Sequence, residues 1–229
     1  MAGEGSKKCT HVIFDLDGLM LDTEIIYTRV TQEILNPYGK VFDWSVKSKM
    51  MGRSTQEAAR VLLEELQLPL STDELIKMSQ EKLFEQFPSA TLLPGVEKLV
   101  HHFHKHNIPM AVATGSGTQA YDRKISNHKH LFQLISHVVK SDDPELQQCK
   151  PAPDIFLLAS ARFPAQPTSP DHVLVFEDAP NGVTAARAAG MNVVMVPDKN
   201  VDRAKCANAS MVLKSLEEFD PSEWGFPPF

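Results

Sequence analysis

The sequence lacks the marks of several protein classes. Its three cysteines, Cys9, Cys149 and Cys206, are widely spaced and form no C-x-x-C pair. That argues against a disulfide framework and against a structural zinc site. No basic run is longer than Lys7-Lys8, and acidic residues outnumber basic ones, 29 to 23, for a net charge of −6. A nucleic-acid or anionic-membrane surface would need clustered positive charge, so neither partner is expected. No apolar run approaches the roughly 18 residues that span a bilayer. The first eight residues contain no apolar core, so no secretory signal is expected. The sequence has no Walker loop, internal repeat or low-complexity tract. These absences make a reducing cytoplasm the expected compartment.

What is present is ordinary globular composition, 42% hydrophobic and 23% charged over 229 residues. Such a chain can bury a full core without cross-links. Short apolar runs recur at His11–Asp15, Ile108–Thr114, Ile135–Lys140, Val173–Glu177 and Val193–Val196, with Met211–Leu213 as a sixth candidate. They are near-continuous rather than alternating, which fits strands of a parallel sheet covered on both faces. Helical spacing marks Gly95–His106, Pro151–Arg162 and Asn181–Ala189, the last followed by a terminating Gly190. Alternating strands and helices predict an α/β fold with a doubly wound, mostly parallel, Rossmann-like sheet.

About 90 residues separate the first two strands, far more than the dozen or so a crossover needs. The excess reads as helix. Glu24–Leu35 is one helix, ended by Asn36-Pro37. Ser54-x-x-Glu57 and Ser71-x-x-Glu74 are two capping boxes, each opening an amphipathic run. The expected organisation is a core domain, residues 1–20 and 91–229, with a helical cap domain inserted at 21–90. Met50-Met51, Phe84 and Phe87 read as packing within that insert. The tail after Phe219 reads as irregular.

Ligands of open α/β sheets bind at the carboxyl ends of the strands. Asp15 ends the first strand, with Asp17 two residues on. Thr114 ends the second, followed by Gly115-Ser116-Gly117, and Glu177-Asp178 ends the fourth. Lys150 precedes a helix and can reach the same edge. Four clustered carboxylates repel one another unless a cation is present, and hard oxygen donors favour Mg²⁺. A lysine and a hydroxyl beside that cation suit a phosphoryl group, with a carboxylate available as nucleophile. Gly115 to Ala120 also matches G-x-G-x-x-A, but it follows the second strand rather than the first, so a phosphate loop explains it better than a dinucleotide site. His101, His102, His104 and His106 read as a solvated helix end, not a metal site. Cys149 lies beside Lys150, which would lower its pKa; a redox role is the minor reading.

Together these residues resemble the haloacid-dehalogenase-like hydrolase superfamily. Asp15-Leu16-Asp17-Gly18-x-x-x-Asp22-Thr23 is similar to its first motif, Thr114 to the second, Lys150 to the third and Glu177-Asp178 to the fourth. The helical insert resembles the family's cap. Phe14–Glu24, Ser141–Glu145, Lys150–Leu157 and Val175–Val183 resemble the pseudouridine-5′-phosphatase branch. Gly115 and Cys149 depart from it, standing where that branch has serine and glycine.

The resemblance implies a phosphomonoesterase for a small phosphate ester, pseudouridine 5′-phosphate above all. Asp15 would be the nucleophile and Asp17 the general acid and base. Thr114, Gly115 and Lys150 would bind phosphate. Asp15, the Asp17 backbone carbonyl, Asp178 and Glu177 would hold Mg²⁺. The alternatives are a phosphatase for another sugar or polyol phosphate, or a mutase of the β-phosphoglucomutase type. The cap histidine and arginine that the mutase branch carries near Tyr27 and Thr55 are absent here. A non-catalytic regulator would lack one of these aspartates or the lysine, and none is missing. Glu24, Tyr27, Lys47, Lys49 and Arg53 are unranked candidates for contacting the leaving group. A capped enzyme of this size can work as a monomer.

Overall fold

A computed structural model describes residues 8–50 and 54–229. Lys7, Met51 and Arg53, singled out above, lie outside the described residues. Six strands form one parallel sheet in the order β3-β2-β1-β4-β5-β6. They are β1 (His11–Phe14), β2 (Met110–Ala113), β3 (His137–Val139), β4 (Val173–Glu177), β5 (Asn192–Met195) and β6 (Met211–Val212). All six expected strands are therefore present: β4 matches its apolar run, β5 is shifted by one residue, and the others are shorter than theirs. Phe14 pairs with Val112 on one side and Phe176 on the other, so β1 is central.

The pleat divides the core. Val12, Phe14, Val112, Leu174, Phe176 and Val194 face one layer of side chains. Ile13, Ala111, Ala113, Val175 and Val193 face the other. Both faces are covered, which is why β1, β2 and β4 are buried at every position and read as continuous apolar runs. Helix α5 (Val96–Lys105) covers the first face; α8 (Asp154–Ala161) and α9 (Pro180–Ala188) cover the second. Helix α8 starts three residues later than the spacing predicts, after Pro151 and Pro153. That leaves Lys150 on a loop.

Among the described residues, four α-helices lie between β1 and α5: α1 (Glu24–Leu35), α2 (Trp44–Met50), α3 (Thr55–Leu66) and α4 (Thr72–Gln86). Helix α4 contacts both α1 and α3, and α2 rests on α3. Both capping boxes form: Ser54 and Ser71 accept from Glu57 N–H and Glu74 N–H, and each glutamate returns to its cap's N–H. Such a cap contributes about 1 kcal/mol. The chain enters and leaves this layer at one place, where Leu21 bridges Leu92 and Asp22 N–H donates to Thr91 O at 2.9 Å.

Two short helices, α6 (Thr118–Lys124) and α7 (Lys129–Phe132), follow β2; neither they nor α2 is predicted from the sequence. The tail corrects a second expectation. It is not irregular: Pro221–Trp224 forms a 3₁₀ turn, Trp224 and Phe226 are buried, and Trp224 O accepts from Cys9 N–H at 2.8 Å. Apolar area outweighs the prolines there. His102 is likewise buried, donating to Pro227 O at 2.9 Å beneath that tail.

Candidate active site

The carboxyl end of β1 is the point where the strand order reverses, with β2 on one side and β4 on the other. Asp15, Thr114 and Glu177 therefore emerge side by side. Lys150 Nζ reaches in between them, donating to Asp15 Oδ1 at 2.5 Å, Glu177 Oε1 at 2.6 Å and Ala113 O at 3.0 Å. The second Glu177 oxygen accepts from Asp178 N–H and Ala179 N–H, at 3.1 and 3.2 Å. Glu177 is thus an anchor, gripping the start of the β4–α9 turn and the lysine together. Two glycines make room. A Cβ at Gly182 would fall within the Glu177 carboxylate, and one at Gly18, where φ is +79°, would lie 2.4 Å from Asp178 Oδ2.

Burial pushes the Asp15 carboxyl up to about 7. Lys150 opposes this, while Glu177 and Asp17 add to it. Burial, then Glu177 and Asp15, push Asp178 well above the usual carboxylate range. Burial works against the Lys150 ammonium, but Asp15 and Glu177 outweigh it and raise its pKa. One oxygen from each of Asp15, Glu177 and Asp178 lies within 4.8 Å of the others. Three hard donors carrying excess negative charge fit a divalent cation of the Mg²⁺ or Ca²⁺ type, and relief of their repulsion would favour its binding.

Asp17 sits differently. Its Oδ1 accepts from Lys124 Nζ at 2.5 Å and Thr23 Oγ1 at 2.8 Å. Its Oδ2 accepts from Ser116 Oγ at 2.8 Å and, more distantly, Thr114 Oγ1 at 3.4 Å. Burial would raise its pKa, but the Lys124 charge and the hydrogen bonds from Lys124, Ser116 and Thr23 outweigh that and hold it down. Its carboxylate is not one of the three clustered acids. Sequence reasoning misses Lys124, Ser116 and Thr23. Lys124 follows Arg123 in a helix that the sequence analysis does not predict, and its side chain is fully buried. The available signal is its spacing from Ala120 and Tyr121 on one face of a short helix.

A cavity of about 290 Å³ opens in front of Asp15 and Lys150 and is also lined by Glu24, Trp44 and Lys47. Lys47 pairs with Glu24 at 2.8 Å and donates to Thr28 Oγ1 at 3.0 Å. A larger chamber, about 740 Å³, lies behind this pair between the inserted helices and Gly115–Ala120. Of the leaving-group candidates, Glu24 and Lys47 line both cavities and Tyr27 lines the larger one. Lys49 points to Glu65 instead. A Cβ at Gly115 would meet no protein atom within 4 Å, so the loop there is open to a ligand. At the start of α6, the Asp142 carboxylate accepts from Thr118 N–H at 2.8 Å, occupying the position a dinucleotide phosphate would need.

The fold and this carboxylate–lysine arrangement define a hydrolase class. The haloacid dehalogenase-like hydrolase family matches residues 12–196, and the chain belongs to it. It is 51% identical to the Arabidopsis thaliana (DL)-glycerol-3-phosphatase 2, over all of this chain and 95% of that one. It is 44% identical to a probable pseudouridine-5′-phosphatase of Drosophila melanogaster, over all of this chain and 99% of that one. A putative β-phosphoglucomutase from Thermotoga maritima superposes with a TM-score of 0.74 at 27% identity, covering 91% and 95% of the two chains. The protein is thus an enzyme of this family, a phosphoric monoester hydrolase. Among the described residues, no helix is long and apolar enough to cross a membrane.

Proposed function

We propose that the protein is a Mg²⁺-dependent phosphomonoesterase working through an aspartyl-phosphate, with pseudouridine 5′-phosphate as its substrate. The observation that carries this reading is Lys150 seated between Asp15 and Glu177 at the ends of two adjacent strands. Asp15 attacks phosphorus and the bond to the leaving alcohol breaks. Asp17 gives that alcohol a proton, then takes one from the water that cleaves the Asp15–phosphate bond. Thr114, the Gly115 backbone and Lys150 hold the phosphoryl oxygens. Mg²⁺, held by Asp15, Asp178 and the Asp17 backbone carbonyl with Glu177 behind them, would neutralise phosphoryl charge.

Residues 21–90 act as the cap, excluding water and reading the leaving group through Glu24, Trp44 and Lys47. Trp44 offers an aromatic face for a base. Every proposed group comes from one chain, so a monomer suffices; the thiols of Cys149 and Cys206 suit the cytoplasm.

Glycerol phosphate is the second reading, favoured by the 51% identity to the Arabidopsis glycerol-3-phosphatase. A phosphosugar mutase stands third: Tyr27 and Thr55 line the larger cavity but offer neither histidine nor arginine.

Phosphate release over a panel of esters tests all three, with Mg²⁺ and with EDTA. The panel is pseudouridine 5′-phosphate, UMP, glycerol 3-phosphate, 2-deoxyglucose 6-phosphate and β-glucose 1-phosphate. Preference for pseudouridine 5′-phosphate over UMP, lost with EDTA, is expected. Preference for glycerol phosphate would transfer the assignment, and dependence on added bisphosphate would favour the mutase.

A further inference from the structure

Lys124 is a buried ammonium that the phosphatase steps leave without a task. Four groups surround it: the Asp17 carboxylate at 2.5 Å, Ser116 Oγ at 2.7 Å, Tyr27 Oη at 3.0 Å and the Phe87 ring, 4.5 Å from nitrogen to ring centre. Asp17 and Ser116 belong to the sheet side of the molecule. Tyr27 and Phe87 come from the first and last turns of the inserted layer. Burying an ammonium is costly, and where packing alone is at stake an apolar side chain of similar volume serves as well or better. The cost is offset only by what the charge does, and among the described residues the carboxylate it pairs with is Asp17.

The donors divide the two Asp17 oxygens. Oδ1 is held by an ammonium, which can only donate, together with Thr23. Oδ2 faces two hydroxyls, Ser116 and Thr114, which can rotate and accept instead. A proton on Asp17 is therefore excluded from Oδ1 and tolerated on Oδ2.

We propose that Lys124 is a positioning residue that makes Oδ2 the proton-carrying oxygen of Asp17, and that the inserted helices act on this proton transfer through Tyr27 and Phe87. In the step concerned, the Oδ2–H bond breaks as the leaving oxygen takes its proton. The phosphorus–oxygen bond to the leaving group breaks and the bond to Asp15 forms. This rests on the aspartyl-phosphate reading above.

A poor leaving group needs that proton and a good one does not. The test compares kcat/KM for an alkyl ester, whichever ester of the panel the protein turns over best, with that for 4-nitrophenyl phosphate. Lys124→Met should lower the alkyl value by about 100-fold or more and the aryl value by less than about tenfold, within the usual range of proton-transfer catalysis. Tyr27→Phe removes one oxygen and keeps the packing; it should lower the alkyl-to-aryl ratio several-fold. Equal losses on both esters in folded Lys124→Met, or a ratio that rises, would overturn the positioning role. An unchanged ratio in Tyr27→Phe would overturn the link to the inserted layer, and it decides alone if Lys124→Met does not fold. A wild-type protein inert on 4-nitrophenyl phosphate and on every ester of the panel would overturn the aspartyl-phosphate reading itself.

Discussion

Asp15 and Asp17 are two residues apart, both beside a buried lysine, and their pKa values move in opposite directions. Asp15 shares Lys150 with Glu177 and stands near Asp178, so one ammonium serves three acids and its carboxyl is driven up to about 7. Asp17 has Lys124 as its own partner, plus hydroxyl donors, and is held low. The lesson is one of stoichiometry. A lysine sets the charge of a buried carboxylate only when it is not divided among several. The Asp15 nest is short of positive charge and the Asp17 nest is balanced, which is the physical ground for placing a divalent cation at the first and not at the second.

Replacing the acids should separate the two nests most strongly. Asp15→Asn should abolish turnover of alkyl and aryl esters alike, by roughly 10⁴-fold or more, because no nucleophile remains. Asp17→Asn should lose about 10²- to 10⁴-fold on alkyl esters and clearly less on aryl ones, as expected for a lost general acid. Single-turnover phosphate release reads both.

Gly182→Ala should strike one nest and spare the other. The added methyl must displace the Glu177 carboxylate, and with it the seat of Lys150. A cost of about 1–3 kcal/mol in denaturant unfolding is expected. Activity should fall on both esters with their ratio unchanged, since Asp17 is untouched.

The smallest effect concerns pH. Asp15 has a folded pKa of about 7 against roughly 3.9 in the unfolded chain. A raised value stabilises the protonated folded form below about 4, and that contribution is lost as pH rises through 7. A divalent cation competes with this proton, so its stabilisation should grow with pH. The rise in Tm on adding Mg²⁺ should be a few degrees larger at pH 8 than at pH 6. A pH-independent shift would mean that Asp15 is ionised throughout.

Much of this was legible in the sequence. Strand ends follow from apolar runs that stop at acids, so Asp15, Thr114 and Glu177 are placed by local pattern alone. The capping boxes work because Ser54, Glu57, Ser71 and Glu74 act within one helical turn. Lys150 announces itself by the prolines that keep it on a loop. Lys124 does not, because its burial depends on Tyr27 and Phe87, 97 and 37 residues away. The packed tail was missed for the same reason: Trp224 and Phe226 are buried by partners that no local period reveals. Helices α2 and α6, seven residues each, are too short to show a period.

The bridge between Leu21 and Leu92 carries a consequence for how such enzymes diversify. The inserted helices begin and end at neighbouring points, so the sheet senses only a short paired ribbon and not the length of chain beyond it. Strand order and register need no adjustment when that chain is exchanged. The segment is a cassette: another helical unit with ends at the same spacing could be spliced in at this ribbon, renewing substrate choice while leaving the reaction chemistry in place.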